Sequence, residues 1–188
     1  MIATIRQAKS WDLHAFGDLY ELSYERVYRF LFYRTLDTGA TEELISDVYT
    51  KAMSSIRRFR WDSEGEFYSW MLQIAYTTFI DSTRTTHDDT SLDDIVWEPS
   101  YTPDVSGQID ATDELRQVLS YMDTLPERDR NIVMMRIWDE LSYDEISHIT
   151  WLSVANSKKI VSRTLEKIAA NVQHFTVFAL LITHVFTR

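Results

Sequence analysis

Between residues 125 and 170 the apolar residues recur at helical spacing in three short runs separated by tight breaks. Ile132, Val133, Met135 and Trp138 form the inner side of the first run, and Pro126 opens it as the first helical residue, where a missing N–H costs nothing. Ser142 followed three positions later by Glu145 is the signature of a capping box, and it opens a short helix that carries Ile146 and Ile149. Thr150-Trp151-Leu152 reads as the turn, and Ser153 is placed to cap a third helix. On that helix Val154, Val161, Leu165, Ile168 and Val172 share one stripe, while Ala155, Asn156, Lys159, Ile160, Arg163 and Lys167 occupy much of the remaining surface. A helix, a short helix, a tight turn and a third helix with basic and amide groups outward are the layout of a helix-turn-helix. That unit places one helix in the major groove of DNA.

The first 84 residues are also helical in pattern. Trp11, Phe16, Leu19, Tyr20, Tyr24, Val27, Phe30 and Leu31 recur at three- and four-residue steps, as in one long helix or a broken pair. Asp37-Thr38-Gly39-Ala40 reads as a turn, with Thr41 placed to cap the next helix and Leu44, Val48, Ala52, Ile56 and Phe59 along one face. Asp62-Ser63-Glu64-Gly65 interrupts the pattern, and a third helix is expected from Glu66 to Arg84, carrying Phe67, Trp70, Met71, Ile74, Ala75 and Phe79. From 85 to 107 the periodicity fails in a stretch with two prolines, a glycine and repeated Asp pairs. Leu92, Ile95, Val96 and Trp97 within it suggest that part of this linker docks. A helix resumes near Ile109 and runs towards Met122, with Leu115, Val118 and Leu119 on one face. The expected fold is all-α: a helical domain over 1–84, an acidic linker over 85–108, a helix-turn-helix domain over 109–170 and an apolar helical extension over 171–188. The apolar part of that extension, Phe175–Phe186, falls short of the roughly 20 residues that span a bilayer, so no membrane span is expected.

Charge argues against a strong autonomous DNA binder. The net charge is −10, and residues 85–124 supply most of it, with ten carboxylates against one basic side chain. Residues 125–170 are neutral overall. Nonspecific DNA affinity depends on cations replacing counterions, so a chain like this needs a DNA-binding partner to hold it on its site. Cysteine is absent, which fits a reducing compartment, and the N-terminus lacks the apolar core of a secretion signal. Phosphate-binding glycine loops, His-Glu-x-x-His motifs and cysteine ligand clusters are missing, and His174 and His184 have no supporting ligands nearby. Neither catalysis nor a metal or other cofactor is expected.

Two blocks of residues resemble a known family. Leu125-Pro126-Glu127-Arg128, Glu140-Leu141-Ser142-Tyr143-Asp144-Glu145-Ile146-Ser147 and Ser153-Val154 with Lys158 and Arg163 are similar to the second domain of bacterial RNA polymerase sigma factors of the extracytoplasmic-function group. Glu43, Leu44, Asp47, Tyr49, Lys51 and Ala52, followed by Phe67, Trp70, Met71, Ile74, Ala75, Asp81 and Arg84, resemble its first domain. The chain departs from the pattern where Trp151 and Ala155 replace glycines, Ile160 replaces a common arginine, and Thr77 or Thr78 replaces an asparagine.

The resemblance implies a cytoplasmic protein that binds core RNA polymerase and directs initiation at promoters. It implies contacts to the polymerase from the helix around Glu43–Arg58, with Glu43, Asp47, Lys51 and Arg58 as candidates. Asp47 and Lys51, four apart, could pair with each other or meet charged partners. For the melted minus-10 strand the candidates are Arg57, Arg60, Trp61 and Arg84, since arginine holds phosphates and an exposed aromatic stacks on an unpaired base. Phe67 and Trp70 are expected in the core, positioning that loop. For the minus-35 duplex the candidates are Asn156, Lys159, Ile160 and Arg163 near the bases, with Lys158 and Lys167 on the backbone. Ser142, Ser153 and Arg128 could add phosphate contacts, although capping alone accounts for both serines. The acidic linker would suit a basic channel of the polymerase, and an anti-sigma factor is a possible partner. The competing reading is a sigma-like adaptor or repressor that binds proteins without opening promoters.

Overall fold

The computed structural model describes residues 1–60, 63–88, 118 and 120–171, and no strand occurs among them. Trp61, the greater part of the linker, Leu115, Leu119 and most of the helix expected from Ile109, and residues 172–188 lie outside the described residues. The chain divides into two compact units, Met1–Thr102 and Pro103–Arg188.

In the first unit, the aromatic and aliphatic run at the N-terminus forms a broken pair. Helix α1 spans Ile2–Lys9 and α2 spans Leu13–Thr35. Trp11 stands in the break with φ 65 and is 53% exposed, so it leaves the apolar stripe in which its spacing places it. Asp12 ends the break by accepting from the N–H groups of His14 and Ala15 at 3.0 and 3.2 Å. A carboxylate there satisfies orphan donors and is worth about 1 kcal/mol. Helix α3, Thr38–Ser55, begins earlier than expected. Its cap is Asp37, which accepts from Ala40 N–H at 2.7 Å, while Thr41 is buried inside the helix and donates its hydroxyl to the Asp37 carbonyl at 2.6 Å.

A short 3-10 turn, Ile56–Arg58, leads towards α4, Glu64–Asp88. Ser63 and Glu66 cap α4 reciprocally, each N–H meeting the other's side chain at 3.2 Å, so the helix starts two residues before the expected Glu66. It also continues past Arg84. Val48, Ala52, Phe67, Met71 and Ala75 are buried between packed α2, α3 and α4, and Trp70 is half-buried.

In the second unit, residues 120–123 are helical, and Pro126 is the N-cap of α5, Glu127–Ile137. The short α6, Tyr143–Thr150, and α7, Val154–Asn171, come next. Ile132, Val133, Met135, Ile146, Ile149, Val161 and Ile168 close the core, and Trp138 is half-buried at the end of α5. Burial of each large aliphatic side chain contributes about 1.5–3 kcal/mol, which makes the three-helix packing the main source of stability here.

Candidate nucleic-acid interface

The geometry of the second unit is set by its caps. Ser142 accepts from Glu145 N–H at 3.2 Å, and its own N–H donates to the Glu145 carboxylate at 2.8 Å, completing the capping box. Ser147 donates its hydroxyl to the Leu152 carbonyl across the turn. Ser153 accepts from Asn156 N–H at 3.2 Å and starts α7. These bonds fix the turn at both ends. Asn156, Lys158, Lys159, Arg163 and Lys167 all stand exposed on α7. Ile160 is half-buried, because buried Ser157 and Thr164, three residues before it and four after, place it at the margin of the inner face.

Lys158 has an additional partner. Its ammonium lies 5.5 Å from the Tyr143 ring, and the Arg136 guanidinium lies 5.0 Å from the same ring. One tyrosine thus ties α5, α6 and α7 together, a contact no local spacing announces. Arg128 pairs with its neighbour Asp129 at 3.2 Å.

In the first unit, Glu43 and Asp47 are exposed on α3. Lys51 crosses to α4, donating to the Thr78 hydroxyl at 3.1 Å and pairing with Asp81 at 3.9 Å, instead of joining Asp47. Interhelical packing brings Asp81 within reach, and the local four-residue spacing loses. Arg57, Arg58 and Arg60 are exposed around the 3-10 turn, and Arg84 is exposed near the end of α4. Beneath the turn, buried Phe59 meets Phe67 edge-on at 6.1 Å and half-buried Trp70 at 4.9 Å.

Beside α3 runs an open groove of about 450 Å³, lined by Phe16, Tyr20, Tyr24, Glu42, Ile45 and Tyr49 among others. Tyr49 is held by a buried hydrogen bond with Ser23 at 2.9 Å. Burial pushes its phenol up to about 12, the Ser23 bond opposing the shift. The four-residue spacing of Phe16, Tyr20 and Tyr24 along α2 is visible in the sequence, but its use as a groove wall depends on where α3 packs.

Residues 19–88 match the family described as Sigma-70 region 2, and residues 115–168 match Sigma-70, region 4. The chain belongs to the extracytoplasmic-function group of sigma factors. Its relatives include SigM of Bacillus subtilis, 27% identical over 154 residues, covering 81% of this chain and 92% of that protein. SigW of the same organism is 26% identical, with 86% and 91% covered. SigK of Mycolicibacterium vanbaalenii is 26% identical, with 89% and 85% covered. In fold, the sigma factor is similar to CnrH, solved in complex with the cytosolic domain of CnrY. That likeness has a TM-score of 0.62 and 18% identity and covers 90% of this chain and 94% of that one.

A sigma factor of this group binds core RNA polymerase and directs promoter-specific initiation, and it works by binding DNA rather than by a catalytic step. Trp151 of this sigma factor, which replaces a glycine of the family pattern, keeps a left-handed backbone at φ 56, and Glu140 holds one at φ 54. The fold therefore retains the turns even where the residue that suits them is gone.

Proposed function

We propose that this sigma factor divides promoter recognition between its two units. Glu43, Asp47, Lys51 and Arg58, together with the aromatic groove beside α3, meet core RNA polymerase. Arg57, Arg60, Trp61 and Arg84 hold the strand freed at minus-10, arginines on phosphates and the tryptophan on a base. Helix α7 enters the major groove at minus-35, where Asn156 pairs with adenine, Lys159 and Arg163 donate to guanine, and Ile160 meets a thymine methyl. Lys158 and Lys167 hold the flanking backbone. Residues 85–108, rich in carboxylates that repel nucleic acid, suit a basic channel of the polymerase. A regulatory protein that masks these surfaces is part of the proposal, on the likeness to CnrH in its complex with CnrY.

The supporting observation is the row of exposed amide and cationic side chains on α7, beginning immediately after a cap that fixes the helix direction. Reconstitution with core polymerase on a promoter library tests the reading. Sequence-specific start sites are the expected result. Core binding without any initiation would assign the chain instead to an adaptor that engages proteins and leaves promoters closed.

A further inference from the structure

Despite the net charge of −10, two stretches of the first unit carry no carboxylate at all. Residues 1–11 contain Arg6 and Lys9, and residues 48–60 contain Lys51, Arg57, Arg58 and Arg60. The fold brings these stretches together. Helix α1 packs against the 3-10 turn, and the Lys9 ammonium stands 5.2 Å from the centroid of the Phe59 ring, between Arg58 and Arg60 in the chain. Phe59 is itself fixed by Phe67 and Trp70, so the place of Lys9 is set by the core. Arg6, three residues earlier, lies along the same side of α1 and is exposed.

Both cations sit in the last turn of α1, where they also complement the helix dipole. The dipole accounts for these cations but not for the exposed aromatic residue beside them. Two residues after Lys9, Trp11 is held in a left-handed conformation with its indole 53% exposed. The adjoining carboxylate, Asp12, is turned away into the cap of α2. Cations that track a phosphate chain, next to an aromatic ring open to solvent, are the two elements of a single-strand binding surface.

We infer that α1 and the break after it belong to the DNA surface of this sigma factor. Arg6 and Lys9 extend the phosphate-binding row of Arg57 and Arg60, and Trp11 stacks on an unpaired base of the opened strand. The inference rests on the promoter-opening reading and adds a segment to it that the family-like motifs, which begin further along the chain, leave unused.

The test uses holoenzyme reconstituted with core polymerase on a promoter selected by the wild-type chain, presented as a pre-melted bubble. Replacing Arg6→Gln and Lys9→Gln together is expected to weaken bubble binding about tenfold. It should also flatten the plot of log affinity against log salt by about 1.4, since each single-strand phosphate contact contributes about 0.7. Trp11→Ala should weaken bubble binding about tenfold with the salt slope unchanged, as loss of stacking predicts. Lys9→Arg should bind as the wild type does, which separates charge from packing on Phe59. Unchanged affinity and slope in the double variant, on a promoter that the wild type still opens, would overturn this inference while sparing the promoter reading. Loss of core association with DNA binding intact would give the surface to the polymerase and overturn it equally. A wild-type holoenzyme that opens no promoter would instead remove the reading beneath it.

Discussion

Glu140 and Trp151 hold backbone angles that cost an L-residue about 1–2 kcal/mol, whereas glycine adopts them freely and gives back about 0.5–1 kcal/mol through the entropy of the unfolded chain. Glu140→Gly is therefore expected to stabilise the second unit by about 0.5–1 kcal/mol, read as a higher urea midpoint at constant slope. Glu140→Val should lower the midpoint, because a β-branched residue fits that region worst. A fall in the glycine variant would show that the Glu140 side chain contributes more than its backbone strain costs.

Tyr49 carries the second expectation at this scale. Its folded-state pKa is raised from 10.0 to about 12, so the unfolded chain releases the proton first as pH rises. The contribution of this group to stability is complete below about pH 10 and is lost as pH climbs towards 12. Tyr49→Phe keeps the ring packed and leaves the Ser23 hydroxyl donating to the Leu19 carbonyl at 2.6 Å. The stability difference between the wild type and this variant should thus shrink between pH 10 and 12 in parallel unfolding titrations. A constant difference would contradict the assignment.

At the scale of elements, Ser142 connects stability to DNA binding. It caps α6, and substitution by alanine would remove about 1 kcal/mol whatever its other roles. Ser142→Asp discriminates more finely, since aspartate caps a helix as well as serine does but repels a phosphate. The expected result is a melting temperature lowered by no more than in the alanine variant, since the new carboxylate still caps but faces Glu145, with weaker binding of the holoenzyme to minus-35 duplex. Full binding by that variant would confine Ser142 to capping. Helix starts themselves are legible wherever the cap is a short polar residue near its own helix. The Ser142-Glu145 box and Ser153 cap where their spacing puts them, and Ser63-Glu66 has the same signature. Asp37 and Thr41 are harder to tell apart because each has the right chemistry, and the choice depends on burial of Thr41 against Thr35, whose hydroxyl lies at 2.7 Å.

For the whole molecule, separate units imply separable losses. Arg163→Ala should reduce minus-35-dependent transcription about tenfold or more, the worth of a guanine contact, and leave core association unchanged. Asp47→Arg should do the reverse, reducing core association while the second unit keeps its fold, as measured by competition for core polymerase. Equal loss of both functions in either variant would contradict that division. From the concentration of negative charge in residues 85–124, the DNA affinity of the free chain is expected to be weak and to rise in the holoenzyme, as salt titrations of the two would show. What the residues alone determined was the all-helical class, the helix-turn-helix and the exposed positions of α7 other than half-buried Ile160, because periodicity and capping operate over three or four residues and are written locally. What only the tertiary structure decided was which distant side chains meet: Lys51 with Asp81, Lys9 above Phe59, Arg136 and Lys158 on Tyr143. Those pairings depend on how helices cross, and a helix crossing is set by the whole core at once.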